Sequence, residues 1–544
     1  MFRRTISVIA CSALSLASLG LYCVSESHAS GHRPSPRRFV RVCAAPKLGS
    51  AACAVLARPP SSLSAARVPN QGAQGPVSEP KSGSPAVVFR HPLPGALSPQ
   101  AIHAAYALPV STASSALQVI GVVDAFDDPT AEADLAVYDR QYGLPACTAA
   151  NGCFRRINQA GQESPLPATD GSWAAEISAD LQMAHSACQA CRIVLVEANS
   201  AEFVDLGAAV NAAVAAGATE INNSYESEGE EGSSALSLNA SYYDHPGVVV
   251  TASAADCAYL GEACGTPVVS FPAASPDVIA VGGSALTEAN GTWTSSAWED
   301  TGSGCSQIFA APHWQTALPN WPASNCGSSR LVADVAAVGA PETGVSVYDS
   351  TPGFENGPIL GWQSDGGSSV ASPIVAGEFA LDGGSHGTAY PASTLYSHIG
   401  SAALYDIVTG SNGVCHDASA CQAGLGYDGP SGVGSPIGLE AFSVIGAPNS
   451  RLIPTVLGAA RLGQTLTEQR GQWEGHPGHR DIQWARCDRH GAYCHPIAGA
   501  STQRYTLSAA DLGATVRVQE TASNASGLGV PAASIPTEVV RAHE

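Results

Sequence analysis

Hydrophobic residues follow two different rhythms along this chain. From Ala101 onward, short β-branched runs such as LQVIGVVDA (117–125), RIVLVEA (192–198), GVVVTASAAD (247–256) and VIAVGG (278–283) are apolar at nearly every position, as in strands buried on both faces. Between them, VDLGAAVNAAVAAGA (204–218) has the small, apolar texture of a helix ended by glycine, and a further strand follows at Glu220–Ser224. Strand, helix and strand in succession predict an α/β domain whose parallel sheet is covered by helices on both faces. After about Ala447 the rhythm becomes short alternating strands with frequent turn signals, around Trp484 and a close Cys487/Cys494 pair. That pattern predicts an all-β sandwich of immunoglobulin-like type over residues 448–544.

The N-terminal part reads differently. Residues 1–29 have a basic start, an apolar run from about Ile6 to Val24 and a small-residue exit, which is the pattern of a secretory signal and not of a spanning helix. Residues 30–100 are rich in Pro, Ser, Ala and Gly with basic clusters, and read as a linker or short pro-segment, poorly ordered apart from a Cys43/Cys53 loop. The α/β domain then spans 101–447.

Composition narrows the function. A net charge of −21 would repel nucleic acid and anionic membranes, so neither is expected as a partner. Of the 16 cysteines, Cys11 and Cys23 fall in the signal. The others form close neighbours: Cys43 with Cys53, Cys147 with Cys153, Cys188 with Cys191, Cys257 with Cys264, Cys305 with Cys326, Cys415 with Cys421 and Cys487 with Cys494. In an exported chain these read as local disulfides. A secreted, extracellular monomer without a membrane anchor after signal removal is expected.

The stretch GWQSDGGSSVASPIVAG (361–377) carries the first sign of chemistry. Glycines let a substrate approach Ser368 and Ser369, and Pro373 opens an apolar run (Ile374, Val375, Phe379, Leu381) that reads as a buried helix. A serine at such a turn suits a nucleophile, which needs a base. Histidine is a poor fit: His185 sits among apolar residues in LQMAHSAC and His245 in a turn before Pro246, and both read as structural. In DGSWAAEISADLQMAHSA (170–187), however, Glu176 and Asp180 are one helical turn apart and share a face. No lysine or arginine lies between residues 157 and 191 to pair with them. Two carboxyls on one buried face cannot both ionise cheaply, so one is available as a base with a raised pKa.

These residues resemble the sedolisins, or serine-carboxyl peptidases, over roughly residues 101–445. Glu176-Ile-Ser-Ala-Asp180 is similar to that family's E-x-x-x-D, and Gly366-Gly367-Ser368-Ser369-Val370-Ala371-Ser372-Pro373 to its GGTSAxxP. Val249–Asp256, with SFPAASPDVIAVGG downstream, is similar to the strand and loop that carry its oxyanion aspartate. The resemblance implies a subtilisin-like parallel sheet flanked by helices, Ser369 as nucleophile, Glu176 as base, Asp180 as its partner and a protonated Asp256 as oxyanion donor. It implies endopeptidase activity on polypeptides in acid. The sequence departs from the family's S-G-D-S-G, reading Ser253-Ala254-Ala255-Asp256-Cys257-Ala258, so a Cys257–Cys264 bridge is expected to hold a loop without its glycines. Asp124, at the end of the first strand, either extends the acid network beside Glu176 or serves the loop structurally.

Residues 405–436 also resemble the family's calcium loop. The resemblance implies one structural calcium ion held by Asp406 and Asp428 carboxylates and the carbonyls of Ile407, Gly424 and Gly426. Two other readings remain: a catalytically inactive, secreted binding protein of the same fold, and a subtilisin-type peptidase using Asp124 with a histidine.

Overall fold

The computed structural model describes residues 39–58, 87–265, 269–352, 359–415, 418–489, 491 and 494–542. The expected export signal lies outside the described residues. Among them, no helix is long and apolar enough to cross a membrane.

The described chain begins with short strands β1 (Val40–Arg41), β2 (Ala52–Cys53), β3 (Leu56–Ala57) and β4 (Val87–Phe89). The main sheet uses β5 (Val119–Ala125), β6 (Phe154–Asn158), β7 (Arg192–Ala198), β8 (Glu220–Asn223), β10 (Val249–Ser253), β11 (Ile279–Ala289) and β12 (Thr292–Ala297); the two-residue β9 (Tyr225–Glu226) lies outside it. Its order is β12-β11-β10-β8-β5-β7-β6, with Val335–Val338 also paired to β11, and all neighbours are parallel except β11 and β12. All seven residues of β5 are buried, as its continuous apolar run requires in a sheet covered on both faces. This is the subtilisin-like α/β architecture expected from the sequence.

Two central helices, α1 (Gly171–Ala187) and α3 (Ser368–Asp382), are buried along their whole length, while α2 (Phe203–Ala215) packs on β5 and β7. Asp170 caps α1 by accepting hydrogen bonds from Ser172 N (2.9 Å) and Trp173 N (3.1 Å). The close approach of α1 and α3 depends on Gly377, where a Cβ would sit 2.5 Å from that of Ala187. That contact sets the carboxyl-bearing helix beside the serine-bearing one. The sequence expected α3 to open at Pro373, but it begins at Ser368 and Pro373 lies inside it.

Part of the stretch expected to be poorly ordered is instead built into the domain. β1 pairs with β3, and β3 and β4 pair with the Ile359–Gly366 strand that leads into α3. All seven residues from Ala51 to Ala57 are buried, so burial of a short apolar run outweighs the composition of its surroundings.

All seven expected disulfides are formed: Cys43–Cys53, Cys147–Cys153, Cys188–Cys191, Cys257–Cys264, Cys305–Cys326, Cys415–Cys421 and Cys487–Cys494. Cys191 immediately precedes β7, so its bridge to Cys188 braces the turn between α1 and that strand, as a structural reading of the C-x-x-C requires. Cys326 is buried in the loop before the Ser329–Val332 strand and is bridged to Cys305 on the antiparallel Gly304–Ala310 strand. Cys421 ends the short Ala418–Cys421 helix, fully buried, and its bridge to Cys415 closes the segment ahead of the acidic turn at Asp428.

The C-terminal strands are antiparallel, led by His479–Cys487 against Thr515–Asn524, and compatible with an all-β domain. Trp484 is fully buried there among Leu466, Leu507, Val516 and Val518, and its ring N–H donates to Thr502 O at 2.8 Å. This β region meets the α/β part through Cys494 N donating to Ala116 O (2.8 Å) and Arg192 donating to His495 Nδ1 (2.7 Å).

Candidate active site

Ser369 is fully buried in the first turn of α3. Its hydroxyl is within hydrogen-bonding range of the Ser224 carbonyl, at 3.3 Å, and lies near enough to Glu176 to draw that carboxyl's pKa down. Glu176 and Asp180 stand one turn apart on α1, both wholly buried. Asn222, on β8, ties the two helices together: its amide donates to Asp180 Oδ2 (2.6 Å), while its oxygen accepts from Ser372 Oγ (2.6 Å).

Asp124, at the end of β5, completes a cluster of three carboxyls. Neither of its oxygens has a hydrogen-bond partner among the described residues, and burial pushes its pKa up to about 8. Burial, and after it the charge of Asp124, hold Glu176 well above the usual carboxylate range; the Ser369 hydroxyl and the Val55 N–H work the other way. Asp180 is raised by burial, then by Asp124 and Glu176. Three acids packed this closely hold protons in common and titrate as a group.

Asp256 meets the start of α3 at Ser368. Its Oδ1 accepts from both the amide and the hydroxyl of Ser368, each at 2.7 Å. Its Oδ2 has no protein partner among the described residues and faces Gly367, where a Cβ would lie only 2.5 Å from it. Gly367 has φ +103°, a conformation that glycine adopts without strain. Burial, followed by the charge of Glu226, raises the Asp256 carboxyl to about 7, against the opposing pull of Arg41.

The loop carrying Asp256 adopts the left-handed conformations that its missing glycines would favour, with Ala255 at φ +79° and Ala258 at φ +60°. It is held by Gly302 N donating to Ala255 O (2.7 Å) and Ala258 N donating to Asp300 O (2.8 Å). The Cys257–Cys264 bridge closes it.

The histidines weighed from the sequence are engaged elsewhere. His185 bonds to Pro145 O (2.9 Å) and faces Asp139 (3.4 Å), and His245 bonds to Tyr242 O (3.0 Å). The loop expected to hold calcium brings Asp406 and Asp428 to one turn. Asp406 accepts from Gly426 N (3.0 Å), and Asp428 accepts from Gly424 N (2.8 Å) and Ser431 N (2.9 Å). Burial raises Asp428 to about 7, and the neighbouring Asp406 adds to it. Ile407 is fully buried beside them.

Sequence reasoning missed Ser368 as the partner of Asp256, and missed Arg41 and Glu226. Arg41 forms an ion pair with Glu226 and donates to Asp256 O at 3.0 Å. The buried Glu226 in turn accepts from Asp256 N at 3.0 Å. The basic RRFVR cluster is visible in the sequence, but nothing local ties it to residues two hundred positions away.

No family model matches this sequence. Kumamolisin from Bacillus sp. (strain MN-32) is 34% identical over 226 residues, which cover 39% of this chain and 39% of kumamolisin. Sedolisin from Pseudomonas sp. (strain 101) is 33% identical over 183 residues, 31% of this chain and 28% of that protein. Xanthomonalisin from Xanthomonas sp. (strain T-22) is 29% identical over 190 residues, 31% of this chain and 21% of that protein. The chain thus spans no more than 39% of the length of these relatives. Among solved structures, Pseudomonas sedolisin, a serine-carboxyl proteinase complexed with two molecules of pseudo-iodotyrostatin, superposes with a TM-score of 0.52 at 24% identity, covering 63% of this chain and 95% of that one. Over those stretches the chain is similar to the sedolisins, and its fold is the subtilisin-like one of Pseudomonas sedolisin.

Proposed function

We propose that this chain is a secreted serine-carboxyl endopeptidase that hydrolyses peptide bonds in acid. The observation that carries the reading is the convergence of a buried serine, three coupled carboxyls and a separate aspartate with a free oxygen around one point.

Ser369 Oγ attacks the substrate carbonyl while Glu176 takes its proton. Asp180 and Asp124 keep protons in the same cluster, which spares the site the cost of several buried charges and leaves Glu176 to hold the transferred one. Asp256 acts in its neutral form. With Oδ1 held by Ser368, a proton on Oδ2 points to where the oxyanion forms, and losing such a donor costs about 3–4 kcal/mol of transition-state stabilisation. Glu176 then returns the proton to the leaving nitrogen, and water resolves the acyl-enzyme.

Calcium fits the 405–436 loop. Asp406 and Asp428 are neighbouring carboxylates that repel one another, and a hard cation among their oxygens and the carbonyls of Ile407, Gly424 and Gly426 would relieve that repulsion. Its contribution is to rigidity, so chelation is expected to lower the melting temperature. The β region at 448–544 is read as an immunoglobulin-like module, and the whole as a monomer acting on polypeptides.

The test is hydrolysis of denatured casein at pH 4 and pH 8 by the wild type, Ser369→Ala and Glu176→Gln. Turnover at pH 4 that both substitutions abolish, with circular dichroism unchanged, supports the reading. Activity confined to pH 8, or surviving in Glu176→Gln, overturns it.

A further inference from the structure

The cleft at Ser369 is filled by the chain's own residues 51–57. β2 lies antiparallel to β9, with Ala52 opposite Glu226 and Cys53 opposite Tyr225. β3 lies antiparallel to the end of the strand leading into α3, with Leu56 opposite Gly366 and Ala57 opposite Asp365. Between these two pairings Ala54 and Val55 cross the site with no exposed surface. An extended peptide adding itself to two strand edges is the general way a chain is held for backbone recognition.

The register across the site is specific. Val55 N donates to Glu176 Oε2 at 2.8 Å, so the nitrogen of the Ala54–Val55 peptide bond sits on the group that would protonate a leaving amine. The carbonyl of the same bond points the other way: a Cβ on Gly367 would lie 2.6 Å from Ala54 O and 2.5 Å from Asp256 Oδ2. The two ends of one peptide bond thus face the base and the oxyanion donor, as the ends of a scissile bond must.

The segment is also clasped from outside the cleft. The Cys43–Cys53 disulfide closes a loop behind Cys53, and Val42 N donates to Val55 O at 3.3 Å. Arg41 reaches Glu226 and Asp256 O from β1. Gly49 N donates to Glu231 Oε2 (2.9 Å) and Ala51 N to Ala201 O (2.7 Å).

We infer that residues 39–58 form a tethered, disulfide-closed occupant of the substrate cleft, and that Ala54–Val55 is the first bond this chain cuts. The inference rests on the peptidase reading above. Ser369 Oγ adds to the Ala54 carbonyl carbon and its proton passes to Glu176. The carbon–nitrogen bond breaks as Glu176 protonates the Val55 nitrogen, and water then releases the Ala54 ester, leaving a carboxylate at Ala54 and an amine at Val55. Until that bond is cut, other polypeptides are excluded from the cleft.

The test uses the full chain as wild type, Ser369→Ala, Val55→Pro and Arg41→Glu. Each is acidified and followed by N-terminal sequencing, intact mass and casein hydrolysis. The wild type should show a lag in casein hydrolysis that tracks the appearance of a new N-terminus at Val55, at a rate independent of protein concentration. Ser369→Ala and Val55→Pro, the latter without the N–H that Glu176 accepts, should keep the bond. Arg41→Glu, which sets like charges against Glu226, should shorten the lag. Casein hydrolysis without a lag and with Ala54–Val55 intact overturns this inference and leaves the peptidase reading standing. Hydrolysis by Arg41→Glu alone, with the bond intact throughout, overturns the cut while keeping the peptidase. No casein hydrolysis and no self-cleavage in any form overturns both.

Discussion

Ser369 and Ser224 exchange hydrogen bonds in both directions: the Ser369 hydroxyl donates to the Ser224 carbonyl at 3.3 Å, and the Ser224 hydroxyl donates to the Ser369 carbonyl at 3.1 Å. The second bond has a local cause. Pro373 stands four residues after Ser369 in α3 and has no N–H to give its carbonyl, so a side chain from the β8–β9 junction supplies one.

Ser224→Ala therefore strands the buried Ser369 carbonyl and also removes an acceptor of the Asn222 amide (2.9 Å). The expected loss is about 1–3 kcal/mol of stability, read from denaturant midpoints, together with a lower kcat. An unchanged midpoint would mean that the Ser369 carbonyl finds another donor.

Ala255 at φ +79° occupies a conformation that costs an alanine about 1–2 kcal/mol and a glycine almost nothing. Ala255→Gly should leave stability unchanged or raise it by up to about 1 kcal/mol, the gain being reduced by glycine's greater freedom when unfolded. Ala255→Val should lower it by more than about 1 kcal/mol. Denaturant unfolding of both variants checks the pair.

The main strands and α1 are legible in the sequence because their signals are local: β-branched runs for β5 and β7, and for α1 a helical stretch that sets Glu176 and Asp180 one turn apart. The disulfides are legible for the same reason, since Cys191, Cys326 and Cys421 each bridge to the nearest cysteine before them in the chain. Ser369, Glu176, Asp180 and Asp256 stand out in the sequence as candidates because each lies in a short motif. The start of α3 is misplaced because a proline reads as a helix opening, when Ser224 makes its place inside the helix tolerable. The occupation of the cleft is hidden for a different reason. Ala51–Ala57 acquires its meaning only from β9 and the strand before α3, far along the chain, and its Pro- and Ser-rich surroundings point toward a linker.

Stability should be greatest in acid. Burial raises Asp124 and Glu220 to about 8, Asp256 to about 7 and Asp128 to about 6. The folded chain therefore keeps protons that the unfolded chain releases above about pH 4, and unfolding is favoured as pH climbs. The contribution is complete below about pH 4 and is lost between there and about pH 8. Asp511 opposes the trend: burial pushes its carboxyl up, but hydrogen bonds from Ser508, Tyr505 and Arg486 outweigh that and lower it. Melting temperatures should fall by several degrees from pH 4 to pH 8, and a rise over that range would contradict these shifts.

The most direct test of the central claim, that a carboxyl cluster and not a histidine serves Ser369, is the pH profile of kcat/KM on a short peptide substrate, measured once the Val55 N-terminus has appeared. Activity should be present in acid and fall as pH rises through about 7, where Asp256 loses its proton. A rate that climbs through the histidine range to a plateau in alkali would contradict it.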